Sequence, residues 1–176
     1  MNAIALDIPV LETERLRFRM LSISDFDEEA AFYATERSKG VGGPLAPRDV
    51  WRVLSMFIGH WVVHGYGMWA LEDKNTGRYA GRAGFLNPHD WPEPEIGWTL
   101  MAHAEGKGLA YEAAVAVRAY AYGALGWTSA ISLILDDNTR SAALAERLGC
   151  VRDGVFEHAV HGPVPVWRHP APEMLQ

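Results

Sequence analysis

Hydrophobic and polar residues alternate along some stretches of the chain and recur at helical spacing along others. Leu16 and Phe18 alternate with arginines, which indicates a half-buried strand. Large apolar residues recur every three or four positions over residues 50–61, which predicts an amphipathic helix from Pro47 to Gly65. Alternation and bounding turn residues predict further strands at 67–72, 78–86, 95–101, 129–135, 150–156 and 164–169.

The stretch from Glu95 to Cys150 combines both periodicities, and the other elements are arranged around it. It predicts in order a strand at 95–101, a loop at 105–110, an alanine-rich helix to about Gly126, a strand at 129–135 and a helix that ends near Gly149. A strand, a helix and a second strand in this order form a right-handed crossover between parallel neighbours. The predicted fold class is therefore α/β.

The loop Glu105–Ala110 is the strongest candidate for a binding site. Gly106 and Gly108 carry no side chain, so a ligand can approach the backbone closely. The helix behind them begins with unpaired N–H groups and the positive end of its dipole, a combination that binds phosphate. Lys107 adds a positive charge at the rim. These residues predict a ligand that carries a phosphate or pyrophosphate.

Two known phosphate motifs fit this loop poorly. A P-loop requires a hydroxyl residue after Gly-Lys, and here Lys107-Gly108 is followed by Leu109. A dinucleotide fingerprint requires a third glycine where Tyr111 stands, although Asp136 ends the next strand, where a ribose-binding acid would lie. A nucleotide-binding oxidoreductase is thus a distant alternative. If the loop binds no ligand, it is a plain turn between a strand and a helix.

Composition restricts the class of protein. A length of 176 residues predicts one domain, 1–176, with its core at about 11–169. The formal charge of −6 argues against nucleic acid as a partner and is compatible with a cationic substrate such as an amine. Cys150 is the single cysteine, which suits a reducing cytoplasm. No signal peptide opens the chain, and its longest uncharged run, 119–135, is too interrupted to span a membrane.

A metal site is not predicted. His60 and His64 have the spacing of two zinc ligands on a helix, but His60-Trp-Val-Val-His64 lacks the glutamate of a zincin and no third ligand is evident. Both histidines are predicted to face solvent.

The chain resembles the GNAT superfamily of N-acetyltransferases, and within it the Rim-type branch of ribosomal-protein N-terminal acetyltransferases. The loop is similar to the acetyl-CoA motif Q/R-x-x-G-x-G/A, except that Glu105 replaces the glutamine or arginine. Leu11–Arg19 is similar to the opening strand of that branch, and Asn138–Gly149 is similar to its second helix.

The resemblance implies the three-layer GNAT fold. This fold has a mixed, mostly antiparallel sheet of about seven strands and about four helices. Its parallel pair, here 95–101 and 129–135, splays apart, and the pantetheine arm of the cofactor enters the gap.

The resemblance also implies acetyl-CoA as the cosubstrate, with no metal. Backbone N–H groups of the loop would hold its pyrophosphate, at Gly106, Lys107, Gly108 and Ala110. The backbone of Leu100 and Met101 would pair with the pantetheine arm and polarise the thioester, and Asn138 would anchor the arm. Ser141 would lie near the sulfur as an acid or a hydrogen-bond donor. The tyrosine acid of many relatives is absent, because Ala145 occupies its position.

Acetyl transfer to an amine also requires a base that removes a proton from the amine. Glu95 begins the cofactor strand and is the predicted base, acting directly or through water. His89 and Asp90 in the preceding loop are the alternatives. If Glu95 has no role in catalysis, it is expected to be a surface carboxylate at the end of a strand.

The predicted function is transfer of acetyl from acetyl-CoA to a primary amine by direct attack. The acceptor would be a protein N-terminal α-amine or a small-molecule amine, chosen by the loops at 36–46, 87–94 and 158–165. A non-catalytic acyl-CoA-binding sensor is the alternative from another class, since it would keep the loop and lose the base. Exposed tryptophans would mark the interface of a possible homodimer.

Overall fold

The structure of the protein is a computed structural model that describes residues 8–175. Within this range the chain forms four α-helices and eight β-strands. The helices are α1 Phe26–Tyr33, α2 Pro47–His64, α3 Leu109–Gly123 and α4 Thr139–Arg147. The strands are β1 Leu11–Glu12, β2 Leu16–Met20, β3 Met68–Asp73, β4 Tyr79–Leu86, β5 Glu95–Leu100, β6 Ile131–Leu133, β7 Val151–His158 and β8 Gly162–Arg168.

The strands belong to one sheet in the order β1-β2-β3-β4-β5-β6-β8-β7. The pair β5 and β6 is parallel, with Glu95 opposite Ile131. Four other neighbouring pairs are antiparallel: β1 with β2, β2 with β3, β6 with β8 and β7 with β8. The predicted fold class, an α/β protein with a mixed and mostly antiparallel sheet, is confirmed.

The sheet has one strand more than the pattern predicts because the opening segment folds back on itself. The Thr13 N–H donates to the Leu16 carbonyl at 2.9 Å, and the Leu16 N–H donates to Thr13 Oγ1 at 3.1 Å. This tight turn separates β1 from β2, and Leu11 then pairs with Phe18. A hydrophobic pattern that continues through a turn does not show that the strand is broken.

The chain divides into two compact units, and the first contains residues up to Arg82 together with Leu100–Glu105. Its helix α2 begins with a proline in the first turn and ends at Gly65, whose φ of 73° is a left-handed conformation. Leu54 and Phe57 are buried on this helix, as the pattern predicts. Trp51 is not, because 53% of its surface is exposed.

The second unit contains Ala83–Thr99 and the residues from Gly106 onward. Small residues on α3, including Ala113 and Ala114, are fully buried. One core cluster joins α3, α4 and β8 and consists of Ala114, Ile134, Leu144, Ala145, Leu148, Cys150 and Trp167. This cluster packs α4 against α3 and β8, and two of the predicted site residues, Asn138 and Ser141, lie at the beginning of α4.

Two expectations concern the chain as a whole. The assignment of residues 1–176 to a single domain stays a prediction. In the part of the chain that the structure describes, no helix has the length and apolar character needed to cross a membrane.

Candidate active site

The glycine loop leads directly into α3. Gly106 and Gly108 have φ values of 73° and 76°, a left-handed conformation that side chains other than glycine adopt rarely. A Cβ added at Gly106 would meet no atom within 4 Å, so the backbone conformation, not crowding, requires glycine there. Gly108 is the N-cap of α3, and the first turn of that helix presents its unpaired N–H groups beside the exposed loop.

Glu105, the residue that departs from the acetyl-CoA motif, forms an ion pair within the first unit. Its carboxylate forms an ion pair with Arg37. The same guanidinium nitrogen of Arg37 donates to the Leu100 carbonyl at 3.1 Å. The Met101 N–H donates to the Ala80 carbonyl at 2.9 Å. A role for Met101 in polarising a thioester would therefore require this bond to open, and the roles of Leu100 and Met101 stay predictions.

Glu95 is buried at the first position of β5, with only 8% of its surface exposed. Its Oε2 accepts a hydrogen bond from Trp91 Nε1 at 2.7 Å, and its Oε1 accepts one from the Leu133 N–H at 3.1 Å. Burial raises the pKa of Glu95 to about 7, against the effect of the Trp91 and Leu133 hydrogen bonds, which favour the ionised form. The reading of Glu95 as a surface carboxylate is therefore wrong.

The position of Glu95 follows from the way in which β5 and β6 separate. The two strands pair at Glu95 and Ile131, and two positions further the Leu133 N–H meets the Glu95 side chain instead of a strand carbonyl. The Ser132 hydroxyl bridges to the Ile96 carbonyl at 2.6 Å. Strand β6 spans Ile131–Leu133 and is shorter than the predicted 129–135.

The alternative bases lie in a different environment. His89 and Asp90 are both exposed, whereas Glu95 is buried. Trp91, which follows them, is half-buried and is the residue that contacts Glu95 directly. Sequence reasoning did not find this contact, because spacing within a proline-rich loop carries no periodicity.

Asn138 and Ser141 are brought together at the start of α4. Asn138 is the N-cap, and its Oδ1 accepts a hydrogen bond from the Ser141 N–H at 3.2 Å. Both residues are half-buried. Ala145, at the position where the resemblance would place a tyrosine acid, is fully buried in the core cluster of the second unit. Cofactor anchoring by Asn138 and an acid role for Ser141 stay predictions.

Among residues 8–175, no three histidine, cysteine or carboxylate side chains form a cluster suited to a metal ion. The two histidines of α2 stack on each other, with ring centroids 4.3 Å apart. His60 is buried, and its Nδ1 lies 2.6 Å from the Tyr66 carbonyl. The prediction that both histidines face solvent is therefore wrong for His60, which has a structural partner.

Comparison with known proteins identifies the family. Residues 15–151 match the acetyltransferase (GNAT) domain. A crystal structure of an acetyltransferase from Agrobacterium tumefaciens is 35% identical, with a TM-score of 0.86, and the match covers 97% of this chain and 99% of that one. An uncharacterized N-acetyltransferase of Bacillus subtilis, YoaA, is 24% identical over 87% of this chain and 89% of its own length.

The Rim-type branch is represented among the structures with a similar fold. RimL, a ribosomal L7/L12 alpha-N-protein acetyltransferase solved in complex with coenzyme A, is 15% identical with a TM-score of 0.74. The match covers 92% of this chain and 97% of RimL. The domain match spans most of the chain, and the fold agrees with it throughout. The protein therefore belongs to the GNAT family of acetyltransferases.

Proposed function

We propose that the protein transfers an acetyl group from acetyl-CoA to a primary amine, with Glu95 as the base that accepts the amine proton. The observation that carries this proposal is the environment of Glu95. A carboxyl group with a pKa of about 7 is half ionised near neutral pH, where a general base is most effective. The bound thioester supplies an already activated acyl group, so the protein needs neither a metal nor a covalent acyl-enzyme.

The glycine loop fits the phosphate end of acetyl-CoA. Gly106 and Gly108 expose their backbone, and the open space above Gly106 allows a pyrophosphate to approach. Lys107 is exposed at the rim, where a cation favours an anionic ligand. The complex of RimL with coenzyme A supports the same ligand here.

The remaining roles follow the family resemblance. Asn138 would hold the pantetheine arm while its Oδ1 caps α4. Ser141 would donate a hydrogen bond toward the departing sulfur. The backbone of Leu100 and Met101 would pair with the arm.

The pKa of Glu95 favours a protein N-terminal α-amine over an alkylamine. An α-ammonium group has a pKa of about 8, whereas a lysine-like ammonium has one of about 10.4. Proton transfer to a carboxylate with a pKa of about 7 is therefore nearly balanced for an α-amine. A small-molecule amine of similar basicity meets the same condition, and the net charge of −6 attracts either cation.

Two alternatives from the sequence carry less support. An acyl-CoA-binding sensor needs the glycine loop but has no use for a buried carboxyl group that titrates near neutral pH. An oxidoreductase that binds a nucleotide has no support from the family assignment, which accounts for the loop without a dinucleotide.

The test is calorimetric titration with acetyl-CoA, with NAD in a parallel experiment. We expect micromolar binding of acetyl-CoA and none of NAD. Gly108→Asp should weaken acetyl-CoA binding by about 100-fold more than Gly108→Asn, because both side chains tolerate a left-handed backbone and only aspartate adds a negative charge beside the phosphates. Equal affinities of the two variants would show that no phosphate lies at this loop.

A further inference from the structure

The indole of Trp91 is directed at the candidate base. Its Nε1–H donates to Glu95 Oε2 at 2.7 Å, while the Leu133 N–H donates to the other oxygen. We propose that Trp91 is a positioning residue that holds the Glu95 carboxylate in one orientation and stabilises its ionised form. The expected effect of Trp91 on catalysis rests on the proposed function, in which Glu95 is the base. The contact between Trp91 and Glu95 does not depend on that role.

Trp91 is held by aromatic rings at the end of the β7–β8 hairpin. The Trp91 ring lies 5.3 Å from the His158 ring at an interplanar angle of 80°, and 6.0 Å from the Phe156 ring at 53°. His158 and Phe156 are themselves 6.1 Å apart at 88°. The edge-to-face contact with His158 and the tilted contact with Phe156 hold the Trp91 ring in the orientation in which its N–H donates to Glu95.

His158 is in turn fixed by the hairpin loop. Its Nδ1 lies 3.1 Å from the Val160 nitrogen and 3.2 Å from the His161 nitrogen, and both N–H groups donate to it. An imidazole nitrogen that accepts hydrogen bonds carries no proton, so the neutral ring has its proton on Nε2. Burial and His161 lower the pKa of His158, and Asp90 opposes them. His158 is therefore an uncharged ring at neutral pH, and it packs against Trp91 in that form.

The contact acts on the protonation of Glu95. The ionised carboxylate accepts the indole hydrogen bond more strongly than the protonated group does, so this bond opposes the effect of burial. Near the aromatic cluster, His161 and Asp90 interact electrostatically with His158. Loss of the indole donor alone should therefore raise the pKa of Glu95.

The first test uses the unmodified protein and no acceptor substrate. In ¹H–¹⁵N spectra, the indole N–H resonance of Trp91 should shift with pH, with a midpoint near neutrality, and Glu95→Gln should abolish this titration. An indole resonance that does not respond to pH, or that titrates equally in Glu95→Gln, would overturn the proposal.

The second test changes the donor. Trp91→Phe keeps an aromatic ring and removes the N–H, and infrared difference spectra against Glu95→Gln report the carboxyl group of residue 95. The midpoint of its titration should rise by about one pH unit or more. The matched control is Trp127→Phe, because the Trp127 ring packs on Phe85 in the same unit. An unchanged midpoint in folded Trp91→Phe would overturn the proposal.

Kinetics separate failure of this proposal from failure of the proposed function. Once an acceptor amine is known, the pH dependence of kcat can be measured. Trp91→Phe should move the acidic limb of this profile to higher pH by as much as the spectroscopic midpoint moves, and KM for acetyl-CoA should not change. If Glu95→Gln is inactive and the limb in Trp91→Phe does not move, positioning by Trp91 fails. If the spectroscopic midpoint moves but Glu95→Gln retains full activity, Glu95 is not the base and the contact stands.

Discussion

Glu29 and Glu95 are both buried glutamates, but the protein compensates their charges in different ways. Glu29, on α1, accepts hydrogen bonds from the Arg82 guanidinium and the Tyr79 hydroxyl, and all three side chains are buried. Burial alone would lower the pKa of Arg82, but Glu29 beside it raises that pKa above its ordinary value. Arg82 also donates to the Tyr33 hydroxyl at 2.9 Å and lies over the Phe57 ring at 4.9 Å.

Glu95 has two neutral donors where Glu29 has a guanidinium. The hydrogen bonds from Trp91 and Leu133 do not offset the loss of solvent, so its pKa rises to about 7. The comparison shows that burial by itself does not decide the role of a carboxyl group. A fixed countercharge makes Glu29 a structural anchor, whereas Glu95 can gain and lose a proton near neutral pH.

The largest expected effect is on catalysis. Glu95→Gln should lower kcat by about 10²- to 10⁴-fold at pH 7.5, because the amide cannot accept a proton. The deficit should shrink above pH 9, where free amine is abundant, and affinity for acetyl-CoA should not change. Glu93→Gln is the matched control, since Glu93 is paired with Arg168. Equal rates for Glu95→Gln and wild type would move the base to His89, Asp90 or water.

The second expectation concerns the stability contributed by the paired carboxylate. Arg82→Met should lower the free energy of unfolding by about 3–5 kcal/mol, because Glu29 would be buried without a cation. Glu29→Leu combined with Arg82→Met should recover more than half of this loss. Urea unfolding measures both. The exposed pair Arg17 and Glu12 is the control, where Arg17→Met should change the free energy of unfolding far less than Arg82→Met, because solvent screens the pair.

The third expectation is a pH dependence that belongs to Glu95 alone. Its pKa is 4.5 when unfolded and about 7 when folded, so between these values the folded protein binds a proton that the unfolded chain has released. Stability relative to Glu95→Gln should therefore fall by about 3 kcal/mol as pH rises from 4 to 8. Urea unfolding of both proteins across this range measures the difference, and a flat difference would contradict the assigned pKa.

The smallest expected effect is the loss of one neutral donor from the paired carboxylate. Tyr79→Phe removes the hydroxyl that donates to Glu29 but leaves Arg82 in place. The free energy of unfolding should fall by about 1.5 kcal/mol. Tyr33→Phe provides a comparison, since its hydroxyl accepts from Arg82 and donates to the Val41 carbonyl. A loss as large as that of Arg82→Met would mean that the phenol, not the guanidinium, compensates Glu29.

Local chemistry made much of the candidate site predictable. Gly106 and Gly108 were recognised from the sequence because a residue without a side chain leaves the backbone open to a ligand, and their left-handed φ values add a second local reason for glycine. Asn138 caps α4 because its short polar side chain reaches the N–H three residues on, and a preference of this kind is also local. Neither inference needs information from distant parts of the chain.

Contacts between distant residues could not be obtained in this way. Leu133 follows Glu95 by 38 positions, and its N–H reaches the carboxylate only because β5 and β6 separate after one paired position. Arg82 follows Glu29 by 53 positions, and nothing in either local pattern joins them. The burial of His60 was missed for a more local reason, since its partner is the Tyr66 carbonyl, beyond the glycine at which its helix ends.

The sequence by itself determined most of the order of helices and strands, the glycine loop and the family, because these depend on periodicity, backbone preferences and local motifs. Only the tertiary structure decided which buried carboxylate has a countercharge. Desolvation and hydrogen bonding depend on every atom around a group, and those atoms come from distant segments. Glu29 and Glu95 therefore look alike in the sequence and differ in their chemistry only once the chain has folded.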